Sequence, residues 1–137
     1  MVNLIMGLKG SGKTKRLVEL VKKAVEEERG DVVCIEKNRD LTFDIPYTAR
    51  LVYASDYDIG TYEFMKGFIS GLHAGNYDIT HVFIDNLFKM LDGTDNDSIA
   101  NFLNWLQAFS EKEDVDFTIC ATLDPDSVSE EIQKYVI

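Results

Sequence analysis

The sequence predicts an α/β fold: a three-layer α/β/α domain built on a mostly parallel five-stranded sheet. Three observations point to it. Short apolar runs alternate with longer stretches whose apolar residues recur every three or four positions. The short runs are nearly free of polar residues, as strands covered on both faces must be. Four of the five runs lead into a glycine or a polar residue, namely Gly7, Glu36, Asp85 and Thr122. In open α/β sheets ligands gather at the carboxyl ends of the strands, so these four positions are where function is sought.

The first strand is read at Asn3-Leu4-Ile5-Met6. Lys13 to Glu28 then places Leu17, Val21, Ala24 and Val25 on one helical face, with Gly30 as the expected C-cap. Asp31 to Glu36 is a second buried strand. Asn38 to Thr48, with Pro46 inside it, is expected to be a loop, and Arg50 to Ala54 holds a short third strand around Leu51-Val52-Tyr53. A helix over Thr61 to Leu72 sets Met65, Phe68, Ile69 and Leu72 on one face and ends at His73-Ala74-Gly75-Asn76. Val82-Phe83-Ile84 is the fourth strand and terminates at Asp85. Asn86 to Leu91 suggests a helical turn. The acidic loop Asp92 to Asp97 supplies an N-cap for a helix carrying Ile99, Phe102, Leu103, Leu106 and Phe109 up to about Glu113. Phe117 to Ala121 is the fifth strand, ending at Thr122. The tail from Asp126 reads as a short helix with a final strand at Tyr135-Val136-Ile137.

With 137 residues, no repeat and no Pro/Gly/Ser-rich linker, residues 1–137 read as a single domain. No apolar run approaches membrane-spanning length, and the N-terminal one is too short for a signal peptide. Cys34 and Cys120 lie inside apolar runs, so they read as buried free thiols of a reducing, cytoplasmic compartment. The net charge of −10 is unevenly spread: residues 1–39 sum to +3 and residues 40–137 to −13. The acidic part would repel nucleic acid, which is therefore not an expected partner. A protein partner or self-association is expected instead.

Between the first strand and the first helix, Gly7-Leu8-Lys9-Gly10-Ser11-Gly12-Lys13-Thr14 fits the phosphate-binding pattern G-x-x-x-x-G-K-[ST]. Gly7 would let the chain turn sharply out of the strand. Gly10 and Gly12 would remove side chains where the backbone approaches phosphate. Successive N–H groups at a helix N-terminus then form an anion-binding concavity. Lys13 would reach the β- and γ-phosphates of ATP or another nucleoside triphosphate, and the Thr14 hydroxyl would ligate Mg²⁺. Asp85, closing Val82-Phe83-Ile84, has the Walker B pattern of a second Mg²⁺ group. Asn86 stands where a water-activating glutamate often sits, and an amide cannot take the proton. Glu36 is the remaining candidate for that role, and Thr122 a candidate sensor of the γ-phosphate.

In this order of motifs the chain resembles the RecA-like class of P-loop ATPases. The resemblance runs over about residues 2–122: the glycine loop, a strand ending in Ile35-Glu36, the short strand Leu51-Val52-Tyr53, an Asp-Gly loop and helix over Asp58 to Leu72, Asp85, and a strand ending at Thr122. It implies the strand order 3-2-4-5-1, with Glu36 activating water and Lys13 acting on the phosphates. Thymidine kinase-like proteins have a similar layout, but they carry a glutamate where this chain has Asn86, and nucleoside phosphorylation is not carried over. The loops after Asp85 and Thr122 correspond to DNA-binding loops of recombinases. Here they hold Asp92, Asp95, Asp97, Asp124 and Asp126, which disfavours that function. Only Arg39 and Arg50 offer themselves as an arginine finger. The expectation is an Mg-ATP-binding domain with slow ATPase activity; the alternative is a nucleotide-binding switch or scaffold without turnover, and a small-molecule kinase, for which no acceptor pocket is read, ranks third. His73, His81 and the cluster Tyr53, Tyr57, Tyr62 and Phe64 are expected to serve packing, while Trp105 falls on the less apolar face of its helix, where exposure would point to a protein contact.

Overall fold

The computed structural model describes residues 1–137. Five strands form one parallel sheet: β1 (Val2–Gly7), β2 (Asp31–Glu36), β3 (Arg50–Tyr53), β4 (Ile79–Ile84) and β5 (Asp116–Thr122). Their order across the sheet is β1-β5-β4-β2-β3, which from the other edge reads 3-2-4-5-1. The helices are α1 (Lys13–Glu27), α2 (Tyr62–Gly75), the single turn α3 (Leu87–Met90), α4 (Asn96–Glu113) and the single turn α5 (Glu130–Gln133).

Alternation along each strand divides the interior into two cores. On β2, Val33 and Ile35 face one core while Val32 and Cys34 face the other; on β4, Val82 and Ile84 oppose Phe83. The larger core gathers Met65 and Ile69 of α2 and Ile99, Phe102, Leu103 and Leu106 of α4. The smaller takes Leu17, Val18, Val21 and Ala24 of α1. It also takes Leu41, Ile45 and Ala49, so the segment read as a loop over Asn38 to Thr48 contributes to the interior. Cys34 and Cys120 are buried and unpaired.

Several boundaries and roles differ from expectation. Helix α1 stops at Glu27, and the cap is Glu28 in extended backbone, its N–H reaching the carbonyl of Ala24. Gly30 caps nothing. A Cβ there would lie 2.2 Å from Thr80 Cγ2 and 2.3 Å from the Asp78 carbonyl, so glycine permits the close passage of the chain beside the start of β4. Helix α2 continues through His73 to Gly75, and β4 begins at Ile79, placing His81 within the sheet. Packing overrode the polar character of these terminal residues. The tail contributes one parallel bridge, Leu4 to Val136, on the free edge of β1. Leu4 N–H donates to Tyr135 O at 2.7 Å, and Ile137 N–H to Leu4 O at 3.0 Å.

The aromatic cluster divides: Tyr53 and Tyr62 are half-buried, Tyr62 against Phe102, while Tyr57 is 49% and Phe64 45% exposed; outside it, Phe43 and Tyr47 are almost wholly exposed. Trp105 is half-buried against Phe109. His73 packs edge-on to Tyr77 and Phe109. No helix is long and apolar enough to cross a membrane.

The glycines yield a stability prediction. Gly30→Ala forces backbone and side-chain movement and is expected to cost about 1–3 kcal/mol. Gly67→Ala on α2, where nothing lies within 4 Å of the added Cβ, is expected to stabilise by about 0.4–1 kcal/mol. Urea unfolding of both variants checks the contrast; equal effects of the same sign would contradict it.

Candidate functional site

Parallel pairing brings the carboxyl ends of the strands to the same edge of the sheet. Gly7 lies opposite Thr122 across β1 and β5, and Ile84, the residue before Asp85, lies opposite Ile119 across β4 and β5. The segments that leave these ends therefore converge. Gly10 and Gly12 both have left-handed backbone, φ 83° and 86°. Nothing in the protein lies within 4 Å of a Cβ built on either, so conformation is what requires glycine there. Gly7 differs. A Cβ on it would fall 2.3 Å from Ser11 Oγ, so space beneath the loop is the constraint.

The loop closes on itself through Ser11 N–H, which donates to Leu8 O at 3.1 Å. Lys13 Nζ donates to the same carbonyl at 3.0 Å, folding the ammonium back across the loop. Helix α1 begins at Lys13 with Gly12 as a cap that offers no side-chain acceptor. The N–H groups of its first turn thus keep their capacity to bind an anion.

Over the loop lies a cavity of about 500 Å³. Lys9, Gly10, Gly12, Lys13, Thr14 and Lys15 form one side of it. Asn86, Phe88 and Lys89, from the start of α3, and Thr122 complete it. Its charged groups are four lysines, with no carboxylate in the wall. Thr14 Oγ1 donates to Asp85 Oδ1 at 3.1 Å. The Cys120 thiol donates to the same oxygen at 2.9 Å, and Asn86 N–H donates to Cys120 Sγ at 3.1 Å. Burial, and then the neighbouring Asp85 carboxylate, push the Cys120 thiol up to about 12, so it stays a donor at neutral pH. Asn86 is itself left-handed, φ 55°, a conformation that asparagine tolerates better than most residues. Thr122 Oγ1 lies 3.4 Å from its side-chain oxygen.

The structure thus brings together Lys13, Thr14 and Asp85, with Thr122 alongside. It does not bring Glu36 to the cavity. Glu36 is only 2% exposed, and both its carboxylate oxygens accept from Leu41 N–H at 3.2 Å. Burial raises its pKa above the usual carboxylate value, against the lowering effect of the backbone N–H groups of Leu41 and Asp40. The strand-end rule placed Glu36 at the right end of the sheet, but the following turn captured its side chain. Arg39 is also engaged: it pairs with Asp56 at 2.8 Å and lies over the Tyr53 ring at 4.0 Å. Asp95 caps α4 through Ser98 N–H. Phe88 and Lys89 were missed. The signal that would have found them is their position in the first turn after a strand-end aspartate.

No protein-family model matches the chain, and no curated protein is significantly similar to it.

The Glu36 arrangement has a pH consequence. A carboxyl whose pKa is raised by folding binds its proton more tightly in the folded state. Its contribution is therefore full below the ordinary carboxylate range and is lost as pH rises through the raised folded value. Glu36→Gln keeps an oxygen acceptor for Leu41 N–H and removes the titration. Stability against urea, followed from acid to neutral pH, is expected to gain for the variant relative to the wild type as pH rises. A pH-independent difference would exclude this assignment.

Proposed function

We propose that the chain is a P-loop nucleotide-binding protein of RecA-like architecture, holding an Mg²⁺–nucleoside triphosphate such as Mg-ATP over Gly7–Thr14. The observation that carries this reading is the meeting of Thr14 Oγ1 and Asp85 Oδ1 at 3.1 Å, beside a cavity whose charged residues are all lysines. A hydroxyl and a carboxylate are hard oxygen donors. They suit Mg²⁺, which keeps several waters and takes few protein ligands. When bound, the ion neutralises charge on the β- and γ-phosphate oxygens. The N–H groups of the loop and of the first turn of α1 cradle the phosphates. Lys13 exchanges the Leu8 carbonyl for them, a stronger charge-assisted contact. The sheet order 3-2-4-5-1 supports the RecA-like reading.

Turnover is proposed to be slow. Asn86 cannot serve as a base, and Glu36 is spent on Leu41 N–H away from the cavity wall. Arg39 is committed to Asp56. An arginine finger contributes roughly 10³–10⁵ in rate where one operates. Retention of nucleotide, the behaviour of a switch or scaffold, follows from this arrangement better than rapid hydrolysis. The exposed Phe43 and Tyr47 fit the expected protein partner.

Calorimetric titration with Mg-ATP and a phosphate-release assay test the proposal. Lys13→Ala is expected to weaken binding roughly 10- to 100-fold, the worth of a hydrogen bond to a charged group. Asp85→Asn is expected to weaken chiefly the Mg²⁺-dependent part of binding. Unchanged affinity in Lys13→Ala would sink the binding site. Rapid phosphate release that Glu36→Gln abolishes would sink the claim of slow turnover.

A further inference from the structure

We propose that the cavity selects its ligand by the polyphosphate chain and accepts any of the common nucleoside bases, Phe88 being the surface on which the base rests. The inference rests on the nucleotide reading above and names what that site distinguishes.

The chemistry of the wall carries the argument. Of its ten residues, Phe88 is the single large apolar one, and four are lysines. Lys9, Lys15 and Lys89 form no ion pair elsewhere in the chain. Lys13 is held only by the carbonyl of Leu8. Four ammonium groups around one cavity of about 500 Å³ match the charge of a triphosphate rather than that of a nucleoside. They come from two segments: Lys9, Lys13 and Lys15 from the loop and α1, and Lys89 from α3.

Base discrimination needs the opposite kind of wall. A site tells adenine from guanine by placing donors and acceptors against the base edge, so that the wrong base leaves a buried polar group unpaired. Here the side-chain groups beside Phe88 are ammoniums, the Thr14 and Thr122 hydroxyls and the Asn86 amide. Thr14 is committed to Asp85 and Thr122 lies against Asn86. No carboxylate is present to accept from the amino group of adenine, guanine or cytosine. What remains for the base is an aromatic face and the Asn86 amide NH₂, a donor that every base can meet with a ring-nitrogen or carbonyl acceptor. Stacking on such a face is tolerant of base identity, because every base presents a π-surface. Phe88 is partly buried against the larger core and so is held in place to offer that face.

The test titrates the intact chain, in Mg²⁺ buffer, with ATP, GTP, CTP, UTP, inorganic tripolyphosphate and adenosine. The four triphosphates are expected to bind within about fivefold of one another, tripolyphosphate measurably, and adenosine not at all. Phe88→Ala is expected to weaken all four nucleotides alike, by roughly 5- to 100-fold, and to leave tripolyphosphate unchanged. The unchanged tripolyphosphate affinity also shows that the variant is folded. Phe88→Leu, which keeps the apolar volume, is expected to show the same selective loss. Lys89→Ala should weaken nucleotides and tripolyphosphate together. A hundredfold preference for one base would overturn the inference while sparing the nucleotide site. So would a Phe88→Ala variant with unaltered nucleotide affinity. Binding of none of the triphosphates, organic or inorganic, would overturn both.

Discussion

The organisation of this molecule depends on one carboxylate oxygen. Asp85 Oδ1 accepts from Thr14 on α1 and from Cys120 on β5, while Asp85 itself stands at the end of β4. Three elements that the chain order keeps far apart are thereby fixed to one point. The parallel register makes this possible, because it sets Gly7 opposite Thr122 and Ile84 opposite Ile119 before any side chain is considered. A one-residue slip of β4 against β5 would turn Val82 and Ile84 out of the larger core and carry Asp85 to the other face. The burial of these two side chains therefore also holds the aspartate in place. Packing of the sheet and geometry of the site are the same constraint seen at two distances.

Around that point the backbone carries conformations that ordinary residues avoid. Gly10, Gly12 and Asn86 all have positive φ, and all three line the cavity. Such conformations persist only where the surroundings fix them. Here the fixing contacts are visible: Ser11 N–H on Leu8 O, Lys13 Nζ on the same carbonyl, and Asn86 N–H on Cys120 Sγ. The last explains why a thiol sits at the end of β5. Cys120 receives one hydrogen bond and gives another, so it orders Asp85 and Asn86 together. A purely apolar side chain would fill the space and leave both groups without that partner.

The positions of the glycine loop and of Asp85 were legible in the sequence because they are set locally, by a backbone that only glycine adopts readily and by the residue that follows an apolar strand. The layered fold was legible for a similar reason, since periodicity is a local record of which face is buried. Other features depend on contacts between distant segments and left no such record. Glu36 ends a strand as Asp85 does, yet the turn to Leu41 takes its carboxylate inward. Gly30 looked like a helix cap because it follows a helix; its neighbours Asp78 and Thr80 lie about fifty residues further along the chain. Leu41, Ile45 and Ala49 stand four residues apart, but Pro46 interrupts that spacing as a helix signal, and only packing into the smaller core makes them interior. Phe88 and Lys89 lie in a single helical turn, too short for periodicity to mark a face.

The charge distribution gives the site a second layer of selection. The chain carries a net −10, and residues 40–137 alone carry −13, while the cavity wall holds four positive groups and no negative one. At physiological ionic strength charges are screened over about 8 Å. A compact polyanion entering the cavity sees mainly the lysines. A long polyanion extends many screening lengths beyond it and meets the acidic remainder, including the exposed Asp92 and Asp95 between α3 and α4 and Asp97 in the first turn of α4. The same charge distribution would therefore favour a compact polyanion in the cavity and oppose a nucleic acid strand. Selection by size and charge needs no contact with a base. It is consistent with a wall whose charged side chains are all lysines.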